Sequence, residues 1–241
     1  MCTVSAAYSA DGSALRILIN RDERRLRAAA RPPEIFESGG VSAAWPVDQE
    51  AGGTWAAVSS RGLAFALLNA SGRPARTTTS RGAIIPHLVA SSDINDVIGR
   101  FAAGPARWSC GRFKLLVPSL ERSVVLTNDG VADLAMPAVL ATSSLGDDLV
   151  AGPRLALFQG LLASSTTSWE AQDRLHRHAW PDRRHLSVLM SRPDASTVSR
   201  TEIVLMPDRS VLRYTTILDG WPAGVAAGPI QLARRRAAVA A

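Results

Sequence analysis

The chain has 241 residues, 46% of them hydrophobic and 20% charged, which suits a single large domain, or at most two, whose core needs no staples. The net charge of +6 is carried by arginine, with Lys114 the sole lysine, and the basic residues are spread out apart from Arg24-Arg25, Arg183-Arg184 and Arg234-Arg235-Arg236; that pattern argues against nucleic acid and leaves a weak preference for anionic ligands. Cys2 and Cys110 make no disulfide framework. No stretch reaches the ~18 apolar residues of a membrane span, and no signal peptide opens the chain, so a reducing, cytoplasmic setting without stable membrane insertion is expected.

Thr3 to Tyr8 reads as a strand, Asp11-Gly12 as a hairpin turn, and Ala14 to Ile19 as the returning strand. The run Asn20-Arg21-Asp22-Glu23 follows at the end of that strand, and the hairpin brings it to the same sheet edge as Cys2. Residues 24–50, dense in Pro and Gly, read as an ordered loop with little helix. Thr54 to Ser59 and Leu63 to Asn69 form a second hairpin across Arg61-Gly62, followed by a polar loop from Ala70 to Arg81. Gly82 to Ala90 reads as helical despite Pro86. Ser92-Asp93 caps a helix with Ile94, Val97, Ile98 and Phe101 on one face, ending at Gly104-Pro105.

Strands are expected at Arg112 to Val117, Ser123 to Thr127 and Val131 to Leu134, the last two joined by Asn128-Asp129-Gly130. Helices are expected at Pro153 to Leu162, opening on its proline, and at Trp169 to His176. Leu186 to Met190, Thr201 to Met206 and Val211 to Ile217 read as strands. The domain is taken as residues 1–231, with Leu232 to Ala241 a frayed or disordered tail. Strands and helices come in blocks, so the fold class is α+β: two antiparallel sheets covered by helices, with no doubly wound parallel sheet.

Removal of Met1 would give Cys2 a free α-amine, which titrates near pH ~8 and can take the thiol proton. The thiolate would attack a carbonyl carbon, with Asn69 or a backbone N–H holding the oxyanion. Asp22 could orient the amine. Arg21 could favour the thiolate or bind a carboxylate. Against this stands a structural alternative, in which Asn20 and Asp22 cap backbone groups and Arg21 pairs with Glu23 or Asp22. Gly52-Gly53 permits a positive φ or a close backbone approach, and Arg81 is a candidate anion contact. His176 and His178, with His185 the one further histidine nearby, lack the four ligands of a structural zinc site, so a solvated loop is expected there and no metal. Gly-X-Ser-X-Gly and phosphate-loop motifs are absent.

Met1-Cys2, Asn20-Arg21-Asp22-Glu23 with Arg31-Pro32 behind it, Glu50-Ala-Gly-Gly-Thr-Trp55, Ser60-Arg61-Gly62, Leu68-Asn69 and Arg81-Gly82 occur in that order. Together they resemble the NRDE family, the transport and Golgi organisation proteins; beyond about residue 90 the likeness is one of element pattern. The resemblance implies the N-terminal-nucleophile hydrolase fold, an αββα sandwich. It implies binding or trafficking of an amphipathic small molecule, with haem favoured and a lipid or acyl-CoA as alternatives. On that reading Asn20, Arg21, Glu23, Gly53, Arg81 and His87 contact the ligand. His87 is the candidate axial ligand, and any haem is non-covalent because no Cys-X-X-Cys-His motif exists. The rival expectation is an N-terminal cysteine amidohydrolase acting on a linear amide, with Cys2, Asp22 and Asn69 catalytic and no cofactor required. Family members carry Gly-Thr-Arg before the penultimate strand. Here Arg200 falls one step late, which in a strand turns the side chain to the other face. Nothing in the sequence sets the oligomeric state.

Overall fold

Alternation of apolar and polar residues makes Leu15–Arg24 a strand with two usable faces, and the sandwich is built outward from it. The structure, a computed structural model, describes residues 2–72, 80–104, 110–218, 220–225 and 228–235. In chain order the elements are β1 (Cys2–Tyr8), β2 (Leu15–Arg24), β3 (Arg31–Ser38), β4 (Val41–Val47), β5 (Ala56–Ser59), β6 (Ala64–Asn69), α1 (Ile84–Leu88) and α2 (Ile94–Ala102). Then come β7 (Phe113–Pro118), β8 (Ser123–Thr127), β9 (Gly130–Asp133), β10 (Ala138–Thr142), α3 (Asp148–Ser164), α4 (Ser168–His176), β11 (Ala195–Leu205), β12 (Arg209–Leu218), β13 (Trp221–Val225) and β14 (Ile230–Ala233).

The strands form two antiparallel sheets of seven. One runs β10-β1-β2-β11-β12-β13, with β14 also on β12; the other runs β3 to β9 in sequence order. Between the sheets, Cys2, Val4, Leu15, Ile17, Ile19 and Ile203 meet Ala44, Ala56, Ala64 and Ala66, so bulky side chains from one sheet fit against small ones from the other. The second sheet's outer face packs Phe65, Phe113 and Leu115 against Ile84, Ile85, Leu88 and Val97 of α1 and α2. On the opposite side α3 and α4 bury Phe158, Leu161, Ala171 and Leu175. The result is the expected α+β sandwich of αββα layers. No helix of the described residues is long and apolar enough to cross a membrane.

Several elements differ from expectation. Residues 31–47, expected as loop, are the β3–β4 hairpin, turned by Gly39 and Gly40 at φ +56° and +74°. Asn20 to Glu23 lie inside β2, which runs on to Arg24, where the strand was expected to stop at Ile19. Leu186 to Met190 make no strand: a short 3₁₀ turn covers Arg184–Leu186, and β11 starts earlier than expected, at Ala195. β10 and β13 were not expected at all, and α3 begins five residues ahead of Pro153. Leu232 and Ala233, assigned to a frayed tail, belong to β14, with Leu232 buried. Positions 73–79 of the polar loop, Pro105, and 236–241 of the tail lie outside the described residues.

Candidate functional site

The β1–β2 ladder sets Cys2 directly opposite Arg21, and Thr3 opposite Asn20. Period-two alternation then divides the polar run between faces. Cys2 and Arg21 face the interior of the sandwich; Thr3 and Asn20 face α3 and α4. A cleft of 240 Å³ opens over Cys2, lined by Arg21, Asp22, Glu23, Gly53, Asn69 and Arg81 among others. Six of the residues expected at the site therefore join Cys2 in one cleft.

Arg21 is held from three sides. Its guanidinium lies 4.3 Å from the ring centre of Trp55, and its Nη2 reaches Asp48 Oδ2 at 2.7 Å and Glu23 Oε2 at 3.2 Å. Asp48 also accepts from Arg27 Nε and Nη2, at 3.1 and 2.8 Å, and from the backbone N–H groups of Glu50 and Ala51. Burial alone would raise the Asp48 carboxyl, but the Arg27 hydrogen bond, the Ala51 N–H and the charge of Arg21 hold it below the usual carboxylate value. The turn carrying Asp48 crosses a second backbone at Gly53, where a Cβ would come within 2.4 Å of the Gly82 carbonyl carbon. Thr54 N–H donates to that same carbonyl, at 3.1 Å. Gly53 thus serves a close backbone approach, and through Gly82 it sets where Arg81 stands.

Cys2 is 4% exposed, and burial pushes its thiol up; the nearby Asp22 adds to this, while Arg21 and a hydrogen bond from the Asp22 backbone oppose it. Asp22 lies opposite Thr197 of β11 and accepts a 2.6 Å hydrogen bond from its hydroxyl. Burial raises its carboxyl, against the charge of Arg154 and the Thr197 bond. A β-bulge lies between Thr197 and Ser199, leaving Val198 unpaired and resetting the register beside the site. Arg154, 1% exposed on α3, donates to Thr3 Oγ1 at 2.6 Å and to the carbonyls of Leu186 and Ser187 at 3.1 and 2.7 Å. At the mouth, Asn69 is exposed at the end of β6, and the half-buried Arg81 donates to Arg112 O at 2.8 Å.

Two candidates stand elsewhere. Asn20 is fully buried on the helix face, where it bonds the His176 ring and the carbonyls of His176 and Val188; it is a structural residue, because the strand continues through it and alternation turns it away from the cleft. His87 is exposed on α1 and does not line the cleft. His176, expected in a solvated loop, closes α4 at 1% exposure. Arg200 pairs with Asn20 and lines a different hollow beside His176. Among the described residues no group of three or more His, Cys, Asp or Glu could hold a metal ion. Sequence reading missed Asp48, Arg27, Thr197 and Arg154. Arg27 and Asp48 fell within the supposed loop, and an arginine in a helix carries no mark that it is buried.

Two stacked antiparallel sheets between helix layers, with a cysteine heading the first strand over the cleft, define the N-terminal-nucleophile hydrolase fold. Similar solved structures include a cysteine-to-alanine mutant of the conjugated bile acid hydrolase from Clostridium perfringens, at TM-score 0.50 and 11% identity over 90% of this chain and 89% of that one. An arginine-to-leucine variant of the same enzyme gives 0.50 and 12%, covering 89% of each chain. The Caenorhabditis elegans ortholog of N-acylethanolamine-hydrolyzing acid amidase gives 0.54 and 13%, over 84% of this chain and 92% of that one. At such identities the likeness is one of fold. The family model for Transport and Golgi organisation 2 matches residues 1–187, and the chain belongs to that family. No curated protein matches it in sequence.

Proposed function

We propose that this protein is an N-terminal cysteine amidohydrolase acting on a linear amide, with Cys2 as nucleophile once Met1 is removed. The observation that carries the reading is the register of Cys2 opposite Arg21 at the floor of a cleft that also holds Asp22 and Asn69. The fold, shared with two kinds of C–N hydrolase, supports it.

In this mechanism the Cys2 α-amine takes the thiol proton, and Sγ adds to the amide carbonyl carbon. The oxyanion is met by Asn69. Collapse breaks the C–N bond as the protonated α-amine gives its proton to the leaving nitrogen, which leaves a thioester on Cys2. Water then adds to the thioester, the α-amine again serving as base, and the carboxylic acid departs as the thiol re-forms. Arg21 favours the thiolate, and Asp22 steadies the ammonium form of the amine.

Binding or trafficking of haem has less support. The cleft is walled mainly by charged and polar side chains, and His87 stands outside it. The test starts with intact mass, to select protein lacking Met1. That protein is exposed to N-acyl amides and analysed for an acyl adduct on the Cys2 peptide. An adduct that disappears in Cys2→Ala supports the proposal; methionine-free protein that forms none across short, long and aromatic acyl groups overturns it.

A further inference from the structure

Most arginines in the described chain have carboxylate partners: Arg16, Arg21, Arg27, Arg112, Arg122, Arg213 and Arg234 are all ion-paired. Arg177, Arg184 and Arg200 are not paired with any described residue, and all three line one hollow of 460 Å³ beyond the C-terminal end of α4. Among the described residues the lining contains no carboxylate. The described acids whose charge acts on Arg200 are engaged elsewhere: Asp173 holds Arg16 at 2.6 Å, and Glu202 holds Arg16 and Arg213 at 2.7 and 3.0 Å. Burial, and then the charge of Arg177, hold Arg200 below the usual arginine value, so the fold keeps a half-buried cation beside a like charge.

The remaining wall is apolar. Leu189, Ile217 and Trp221 line it, and Trp221 is 77% exposed, a large ring facing solvent. Gly220, just ahead of β13, lies beside this wall, where a Cβ would sit 3.8 Å from Leu189. The hollow lies on the helix side of the first sheet, whereas the Cys2 cleft opens between the sheets.

We infer that this hollow is a second binding site, taking a phosphate monoester carried on a flat apolar body, with Arg177, Arg184 and Arg200 on the phosphate and Trp221 against the body. Three guanidinium forks match a phosphate dianion in charge and in donor geometry better than they match a single carboxylate. The volume exceeds what a phosphate alone would fill, which leaves room for the ring.

The full chain is titrated calorimetrically with phenyl phosphate, inorganic phosphate and benzyl alcohol. Phenyl phosphate should bind at least about tenfold more tightly than either fragment. Its affinity should fall by about tenfold or more in Arg200→Gln and, as a variant at exposed positions that spares the fold, in the double change Arg177→Gln with Arg184→Gln. It should be unchanged in Cys2→Ser, so that failure here and failure of the hydrolase reading remain distinguishable. Absence of binding, equal binding in the arginine variants, or loss in Cys2→Ser would overturn the site. Sedimentation with phosphatidylcholine vesicles containing phosphatidic acid separates two sources of the same chemistry. Sedimentation that needs Arg177 and is competed by phenyl phosphate assigns a lipid headgroup. Binding of phenyl phosphate without sedimentation assigns a soluble ester. Either result upholds the pocket.

Discussion

At Asp22 two roles can be pulled apart by one substitution. Its negative charge disfavours the Cys2 thiolate, so Asp22→Asn should shift the pH profile of iodoacetamide labelling at Cys2 toward lower pH. If Asp22 also steadies the α-ammonium, amide turnover should fall in the same variant, though its thiol ionises more readily. Turnover that rises with labelling would remove Asp22 from the mechanism. Asp48 makes a separate prediction. It binds Arg21 and Arg27, whose side chains are 7% and 17% exposed, so Asp48→Ala removes the carboxylate that two largely buried cations share and leaves Arg21 with Glu23 and Arg27 with Glu50 and Glu23. The expected loss is about 3 kcal/mol, read as a lower urea midpoint with unchanged slope. Because its carboxyl is held low, Asp48 stabilises the fold above about pH 3.8, and that contribution goes as pH falls through the folded value. A midpoint within experimental error of the parent would show that the Arg21 clamp is not what orders the cleft.

Among the elements, α4 is fastened to the first sheet by a polar chain. Asn20 Nδ2 donates to two carbonyls, so its Oδ1 accepts from His176 Nδ1–H, and His176 Nε2 therefore accepts from the Ser5 hydroxyl. Gln172 completes the chain by donating to Ser5 and to Arg16 O. Burial, and the surrounding charges of Arg200, Arg16 and Arg154, hold His176 well below the ordinary histidine value, so it is neutral when folded and takes up a proton on unfolding below about pH 6.5. Its stabilising share is complete above that pH and is lost as pH falls toward the folded value, at up to ~1.4 kcal/mol per pH unit. Urea midpoints measured from pH 7 to pH 5 should drop more steeply for the parent than for His176→Gln; parallel curves would refute the neutral-histidine lock. The Asn20–His176 pair also shows why part of the site was illegible in sequence. The hairpin and its Asp11-Gly12 turn were plain, so Cys2 and Asp22 could be brought together. The bulge at Val198 carries no residue signal, so the face taken by Arg200 could not be read, and a histidine two residues from another in an arginine-rich stretch looks solvated.

Across the whole molecule, the two sheets are closed at one end by the segment that sequence alone marked as a tail. β14 pairs with β12 of the first sheet and packs against β3 and β4 of the second. Leu232 enters the inter-sheet core, Arg235 N–H donates to Ser60 O at 2.7 Å, and Arg234 reaches Glu121 at 3.1 Å. The strand is only four residues long, ends in an arginine run and follows a glycine-rich stretch, so no local periodicity announced it; its stability comes from tertiary contact. If it clasps the sandwich, Leu232→Ala should cost about 2–3 kcal/mol, as for other buried leucines. The loss should also appear far from residue 232. Amide exchange should quicken in β3 and β4 as well as in β12, because the contact spans both sheets. Faster exchange confined to β12 would mean that β14 is a dispensable edge strand and that the inter-sheet core holds without it.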